Sequence, residues 1–262
     1  MPFVEANGQR FNVTDTGGDG PPIVFSHGFL MDHRMFAPQV AELRDVYRCI
    51  TWDERGFGAT EFDGQPFTYW DSAADVFAIL DVLGIERAVL AGMSQGGYLS
   101  LRAALLHPDR VRALALIDTQ APPESPDKVA EYRQMIDTWS SMGYLEELAS
   151  AVAGLIIGRP EHEEQWKAIW REWDPARLAV AGGALLDRDD ITDRLEELAM
   201  PVLAIHGTDD QAIPVSRAHE ICAAVSDCRG VVEVAGAAHA ANLTHPQVVN
   251  PALREFLEGL PA

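Results

Sequence analysis

Five residues, Gly92-Met93-Ser94-Gln95-Gly96, constrain this chain more than any other stretch of it. They follow the apolar run Ala88-Val89-Leu90-Ala91, which reads as a buried strand, and precede a helical stretch that runs to Leu106 and stops at His107-Pro108. A strand that turns at once into a helix holds the serine between them in strained backbone angles. Its neighbours must then be small, which the flanking glycines satisfy and Gly97 extends. Such a turn presents the serine oxygen at the mouth of a sheet, beside a helix N-terminus whose free N–H groups favour developing negative charge.

The rest of the chain supplies the sheet and its helices. Arg10 to Thr14 begins the sheet, Ile23-Val24-Phe25 reads as a short strand ending at Ser26-His27-Gly28, Met35 to Leu43 as a helix, and Tyr47 to Trp52 as a strand. From Asp71 to Leu83, Val76, Ile79, Leu80 and Leu83 fall on one helical face that Gly84 can close. Val111 to Ile117 is the next strand, and the sheet resumes at Pro201 to Ile205. A helix over Val215 to Val225, a strand over Val231 to Val234 and a closing helix from Thr244 to Leu260 complete it. This alternation predicts an α/β fold with a parallel sheet. Residues 119–190 contain helical patterns and no convincing strand, so the expected organisation is an α/β core of 1–118 and 191–262 with 119–190 as an inserted helical cap. The cap carries four of the six tryptophans. Trp166, Trp170 and Trp173 share a helical face that reads first as packing between cap and core.

With 262 residues the chain is long enough for one such domain and its insertion. A formal charge of −20 would repel nucleic acid and anionic lipid, so neither is an expected partner. No apolar run approaches the ~18 residues of a membrane span. The N-terminus, Met1 to Gly8, lacks the basic start and apolar stretch of a signal peptide, which predicts a cytoplasmic location. Cys49, Cys222 and Cys228 form an odd, sparse set outside any CxxC or zinc spacing, so free thiols and no metal are expected.

Serine at neutral pH needs a base, and the base needs a third group to fix its tautomer and stabilise its cation. Of eight histidines, His107, His162, His219 and His245 sit at helix ends or in polar helical stretches. His27 and His206 precede glycines at strand ends, where they read as structural, and His33 could line an entrance. His239 remains, in the small-residue loop Gly236 to Asn242 after the last strand. The loop His206-Gly207-Thr208-Asp209-Asp210 follows its strand directly and offers two adjacent carboxylates, between which spacing does not choose.

In order and spacing these blocks resemble the α/β-hydrolase family over nearly the full chain. Ser26-His27-Gly28-Phe29 is similar to its oxyanion loop, Asp53-Glu54-Arg55-Gly56-Phe57-Gly58-Ala59-Thr60 to its D-x-R-G-x-G-x-S/T loop, and Gly92 to Gly97 to its nucleophile elbow. Gly207-x-x-Asp210-x-x-x-Pro214 and Gly236-x-x-His239 resemble its acid and base loops. The resemblance implies a mostly parallel eight-stranded sheet with helices on both faces and a helical cap after the sixth strand. It selects Asp210 over Asp209, with Asp118 as the position some relatives use instead. It also implies an oxyanion hole from the backbone N–H groups of Phe29 and Gln95, and a structural role for Asp53 and Arg55.

The expected chemistry is that of a cofactor-free serine hydrolase cleaving a small carboxylic ester through an acyl-enzyme, with Ser94, His239 and Asp210 as its triad. Serine at the elbow argues against the branches that use aspartate. Lactone or enol-lactone hydrolysis is the nearest alternative, because Asn242 stands three residues past His239 as in the enol-lactonase loop; a perhydrolase-like activity comes third. From another class, a small-molecule receptor would keep the same triad and turn over slowly. For lining the substrate pocket, the cap offers Trp139, Tyr144 and Trp166.

Overall fold

Eight strands, β1 (Phe3–Ala6), β2 (Gln9–Asp15), β3 (Pro22–Ser26), β4 (Arg48–Trp52), β5 (Ala88–Met93), β6 (Val111–Ile117), β7 (Val202–Gly207) and β8 (Cys228–Val234), pair into one sheet. Their order is β1-β2-β4-β3-β5-β6-β7-β8. The pairs β1–β2 and β2–β4 are antiparallel and the other five parallel. The structure, a computed structural model, describes residues 3–61 and 63–261. Met1 and Pro2, at the start of the segment read for a signal peptide, and Phe62 and Ala262, within the ranges assigned to the core, lie outside the described residues.

Residues of β5 and β7 are buried at every position. Continuous apolar runs fit this, because a parallel strand with helices on both sides has no solvent face. At the edge, β1 alternates between exposed and buried, and Asn7 and Gly8 join it to β2 with φ of 46° and 73°. Two residues at positive φ match the twist of a tight hairpin. β1 precedes the expected start of the sheet at Arg10, and the Asn-Gly pair is its signal in the chain.

Helices α1 (Ala37–Leu43), α2 (Tyr69–Val82) and α3 (Gln95–Leu106) connect the first parallel strands. The step from β3 to β4 moves toward one edge of the sheet, and those from β4 to β5 and β5 to β6 toward the other. Right-handed crossovers therefore set α1 on one face and α2 and α3 on the opposite one. Helix α2 starts two residues before Asp71 because Thr68 caps it: its side chain accepts from the Asp71 N–H while Asp71 reaches back to the Thr68 N–H.

Between β6 and β7 lie four α-helices, a short 3-10 helix (Thr192–Glu197) and no strand; the α-helices are α4 (Pro126–Met142), α5 (Glu146–Ile156), α6 (Pro160–Arg171) and α7 (Pro175–Leu186). Trp170 is their anchor. Its ring stands edge-on to Trp139 at 5.7 Å, and its indole N–H donates to the Leu30 carbonyl, 2.6 Å away in the loop after β3.

Helices α8 (Ser216–Ala224), α9 (Ala241–Thr244) and α10 (Pro246–Glu258) follow. The single closing helix expected from Thr244 onward is instead two. The chain breaks at His245, with φ −130°, and Pro246 restarts it at the first helical position, where a proline costs no hydrogen bond. Cys222 in α8 and Cys228 at the start of β8 are joined as a disulfide with Cα atoms 5.2 Å apart, which corrects the expectation of three free thiols. The turn between helix and strand folds a six-residue separation back on itself, a closeness the spacing did not signal. Cys49 is a buried free thiol. No helix of the described residues is long and apolar enough to cross a membrane.

Replacing Trp170 by alanine removes both the buried ring and the bond to Leu30. The expected loss is about 3–5 kcal/mol of stability, read as a lowered urea midpoint; an unchanged midpoint would show that α4 to α7 do not depend on this anchor.

Candidate active site

Ser94 sits alone between the last residue of β5 and the first of α3, at φ 52° and ψ −115°. Few residues tolerate that region, and it persists where the surroundings over-determine it. They do so here. The Ser94 N–H donates to Ile117 O at 2.9 Å, and the Ser94 carbonyl accepts from Gly97 N, Tyr98 N and the Thr119 hydroxyl. A Cβ at Gly92 would run into the Gly96 carbonyl, and one at Gly96 into the Ser26 carbonyl of β3. Gln95 opens α3, so its N–H has no carbonyl a turn earlier in the helix to bond.

Asp210 follows β7 and His239 lies between β8 and α9. The His239 Nδ1 is 2.7 Å from Asp210 Oδ2, and both side chains are almost fully buried. On the other oxygen, Oδ1 accepts from the Ala212 and Ile213 N–H groups at 2.8 and 2.9 Å. Burial opposes charge on both partners, but their mutual attraction and these bonds outweigh it. The Asp210 pKa is therefore lowered and that of His239 raised. Asp209 is exposed, and its carboxylate accepts from the Thr208 hydroxyl instead. Asp118 does not reach His239 directly. Its oxygens accept the N–H of Gly207, at the head of the loop that carries Asp210, and of Ala241, just past His239, at 2.7 and 2.9 Å.

His206 lies beside Asp210, its Nε2 2.9 Å from Ile213 O and 3.2 Å from Asp210 Oδ2. His27 Nε2 accepts from the Glu54 N–H while its Nδ1 faces Gly28 O. Both are structural. Asp118, His206 and Asp210 bring possible metal-ligand atoms within 4.8 Å of one another, as do Asp32, His33 and Asp53. In both clusters the carboxylates already accept backbone or side-chain hydrogen bonds, so each reads as a network and not as a cation cage.

Ser94 and His239 line one cavity with Phe29 and Leu30, closed from above by Tyr132 and Met135 of α4, Val152, Leu155 and Ile156 of α5, and Leu185 of α7. It encloses about 60 Å³, where a single water takes roughly 10–15 Å³. Such a space suits a short acyl group. Trp139, Tyr144 and Trp166, the side chains expected to line it, do not. Trp139 and Trp166 are buried inside the helical layer, and Tyr144 donates to Glu146 with its ring against Arg171. Bulky aromatics on a helix find the interior of their own bundle first, which helical position alone does not distinguish from a pocket. His33 is also elsewhere, in a separate hollow beside Asn12 and Trp173. Tyr98, one turn after Ser94, was missed. Its phenol lies against Ser94, and burial pushes its pKa up to about 12. Its i+4 spacing from the serine was the available signal.

The D-x-R-G loop is a clamp. Asp53 accepts from Ala59 N at 2.9 Å, from the Asn12 amide at 2.7 Å and from His33 Nδ1 at 2.6 Å. Arg55 forks onto buried Asp75 of α2 and so ties loop to helix, not substrate to site.

A model of the alpha/beta hydrolase fold family matches residues 21–246. The chain is 32% identical over 259 residues to the pimeloyl-(acyl-carrier protein) methyl ester esterase of Xanthomonas oryzae pv. oryzae, covering 94% of this chain and 99% of that one. Its structure is similar to that of a thermophilic esterase from Thermogutta terrifontis, with TM-score 0.90, 27% identity and coverage of 98% and 97%. It is also similar to the enol-lactonase from Burkholderia xenovorans LB400, with TM-score 0.89, 27% identity and coverage of 98% and 100%.

Burial works against charge on both His33 and Asp53, but their contact raises the His33 pKa above 6.5 and lowers that of Asp53 from 3.8 to about 2. The histidine contributes stability below pH 6.5 that is lost as pH rises through its folded value. The carboxylate contributes above pH 3.8, lost as pH falls through about 2. His33→Gln is therefore expected to cost most stability between these limits and progressively less at higher pH. Denaturant titrations at several pH values check it, and a loss independent of pH refutes the pairing.

Proposed function

This chain belongs to the alpha/beta hydrolase fold family, and from that premise we propose that it is a carboxylic ester hydrolase whose nucleophile is Ser94, whose base is His239 and whose orienting acid is Asp210. The observation that carries the reading is the buried 2.7 Å bond from His239 to Asp210 at the cavity that also exposes the strained Ser94. Printed names of the relatives, esterases and an enol-lactonase, support the same reaction class.

In the proposed reaction Ser94 Oγ attacks the ester carbonyl while His239 Nε2 takes its proton. Asp210 holds the other ring nitrogen as a donor and stabilises the imidazolium. The oxyanion develops toward the N–H groups of Phe29 and Gln95, the second of them at the positive end of α3. His239 then returns its proton to the leaving alcohol, and water activated by the same ring releases the acid. Residues 119–190 act as a cap that excludes bulk water from this step, on a core of 1–118 and 191–262.

Lactone hydrolysis is the second reading, favoured by the similarity to the Burkholderia enol-lactonase. It uses the same groups, with the leaving alcohol tethered to the acyl chain. Comparing kcat/KM for a short open ester and a lactone of equal carbon number separates the two.

Ser94→Ala is expected to abolish hydrolysis of a short aryl ester while the protein stays folded by circular dichroism; full activity in that variant would sink the proposal. Because His239 must be neutral to accept the proton and its pKa is raised, kcat/KM is expected to rise with pH through an apparent value above 6.5 and then level off. Asp210→Asn removes the anion behind the ring, so its rate should drop by roughly 10⁴. A pH profile flat across neutrality would argue against His239 as the base.

A further inference from the structure

We propose that Glu124 makes the cavity beside Ser94 selective for short acyl groups that carry a hydrogen-bond donor and no negative charge, an inference that rests on the ester-hydrolase reading above. Glu124 follows β6 in the segment leading to α4, and it contributes a carboxylate to an otherwise largely apolar cap wall. Its side chain is only 7% exposed.

A carboxylate placed there is costly unless something compensates it. Arg188 does, from behind. Its Nη2 lies 3.2 Å from Glu124 Oε1, and the Gln120 amide donates to the same oxygen at 2.7 Å. The guanidinium sits over the Tyr98 ring at 4.2 Å, and its remaining donors are turned away from the acyl space. Nη1 donates to Leu185 O, Nη2 also donates to Pro122 O, and Nε is fully buried. Arg188 does not line the Ser94 cavity but a different groove, beside Tyr69 and Trp70. The cation thus stands behind Glu124 without presenting a donor to the substrate. Among the described residues the hydrogen bonds from Gln120 and Arg188 both go to Oε1, which leaves Oε2 as the acceptor that Glu124 can offer to an acyl chain in the cavity it lines.

Two consequences follow from that arrangement. A hydroxyl, amide N–H or ammonium on the acyl chain gains a charge-assisted hydrogen bond in a place that excludes water. A terminal carboxylate meets like charge at low dielectric and is rejected. Replacing a buried ion pair by apolar groups of similar size is often neutral for stability, so the pair is not required by packing alone.

The test compares kcat/KM for methyl butyrate, methyl 3-hydroxybutyrate and monomethyl succinate, at a pH where the succinate is ionised, in wild type and in Glu124→Gln. Wild type is expected to favour the hydroxy ester over the succinate ester, and Glu124→Gln to shrink that ratio by at least roughly tenfold, the worth of a hydrogen bond to a charged group. Should Glu124→Gln fail to fold, the double variant Glu124→Leu/Arg188→Leu removes both charges and is expected to shrink the ratio likewise. A short aryl ester with wild type and Ser94→Ala runs alongside. If wild type does not hydrolyse the aryl ester, or Ser94→Ala still does, the ester-hydrolase reading fails and this inference with it. If hydrolysis depends on Ser94 but wild type does not discriminate, or the variant keeps the wild-type ratio, the inference alone is overturned.

Discussion

Within a single residue the chain passes from β5 into α3, and Ser94 carries the strain of that reversal at φ 52°. The turn closes only where neighbouring backbones can come into contact, which is why a side chain on Gly92 would meet Gly96 and one on Gly96 would meet Ser26 in β3. Bonds from Ser94 to Ile117 and Thr119 bind the same turn to β6 and its outgoing loop. Three central strands must therefore keep their mutual register for the serine to keep facing the cavity. The register is secured because β5 is buried on both faces, so a slip would expose apolar surface along its length.

Around this turn the molecule gathers buried charge. Asp210 sits between His239 and His206 with two backbone N–H groups on its other oxygen, and Asp118 pins the loops that carry Asp210 and His239 by one N–H each. Carboxylates in such places are tolerated because each oxygen is satisfied and a histidine lies alongside. Burial and the nearby Asp210 anion raise the Asp118 pKa to about 7, against the pull of the neighbouring histidines and the backbone bond from Gly207. The position of Asp118 explains how a carboxylate after β6 can serve the site without touching its histidine. It aligns the two loops whose side chains must meet.

The legible parts of the chain were those whose geometry is local. An elbow needs glycines within four residues of its serine, and strands buried on both faces announce themselves as apolar runs. The Asn7-Gly8 hairpin was equally local but was overlooked, because β1 contributes only four residues. Two adjacent carboxylates could not be ranked by spacing, since their directions depend on how the loop after β7 closes against the loop after β8. In the cap, helical periodicity placed the tryptophans on faces, yet Trp139 and Trp166 turned inward against their own bundle. The cavity wall fell to smaller side chains, Val152, Leu155, Ile156 and Leu185, which carry no special mark in sequence.

By itself the sequence determined the parallel α/β order, the serine turn, the run of helices before Pro201 and the loops that carry Asp210 and His239, because each of these is set by residues close together in the chain. Tertiary structure decided what spacing alone could not, that Asp210 and not Asp209 faces His239, that Cys222 and Cys228 join, and that Glu124 lines the cavity beside Ser94 with Arg188 behind it. Those outcomes depend on where separate elements come to rest against one another. Hydrophobic burial drives that packing without direction, so only the assembled sheet and cap establish which polar groups end up facing each other.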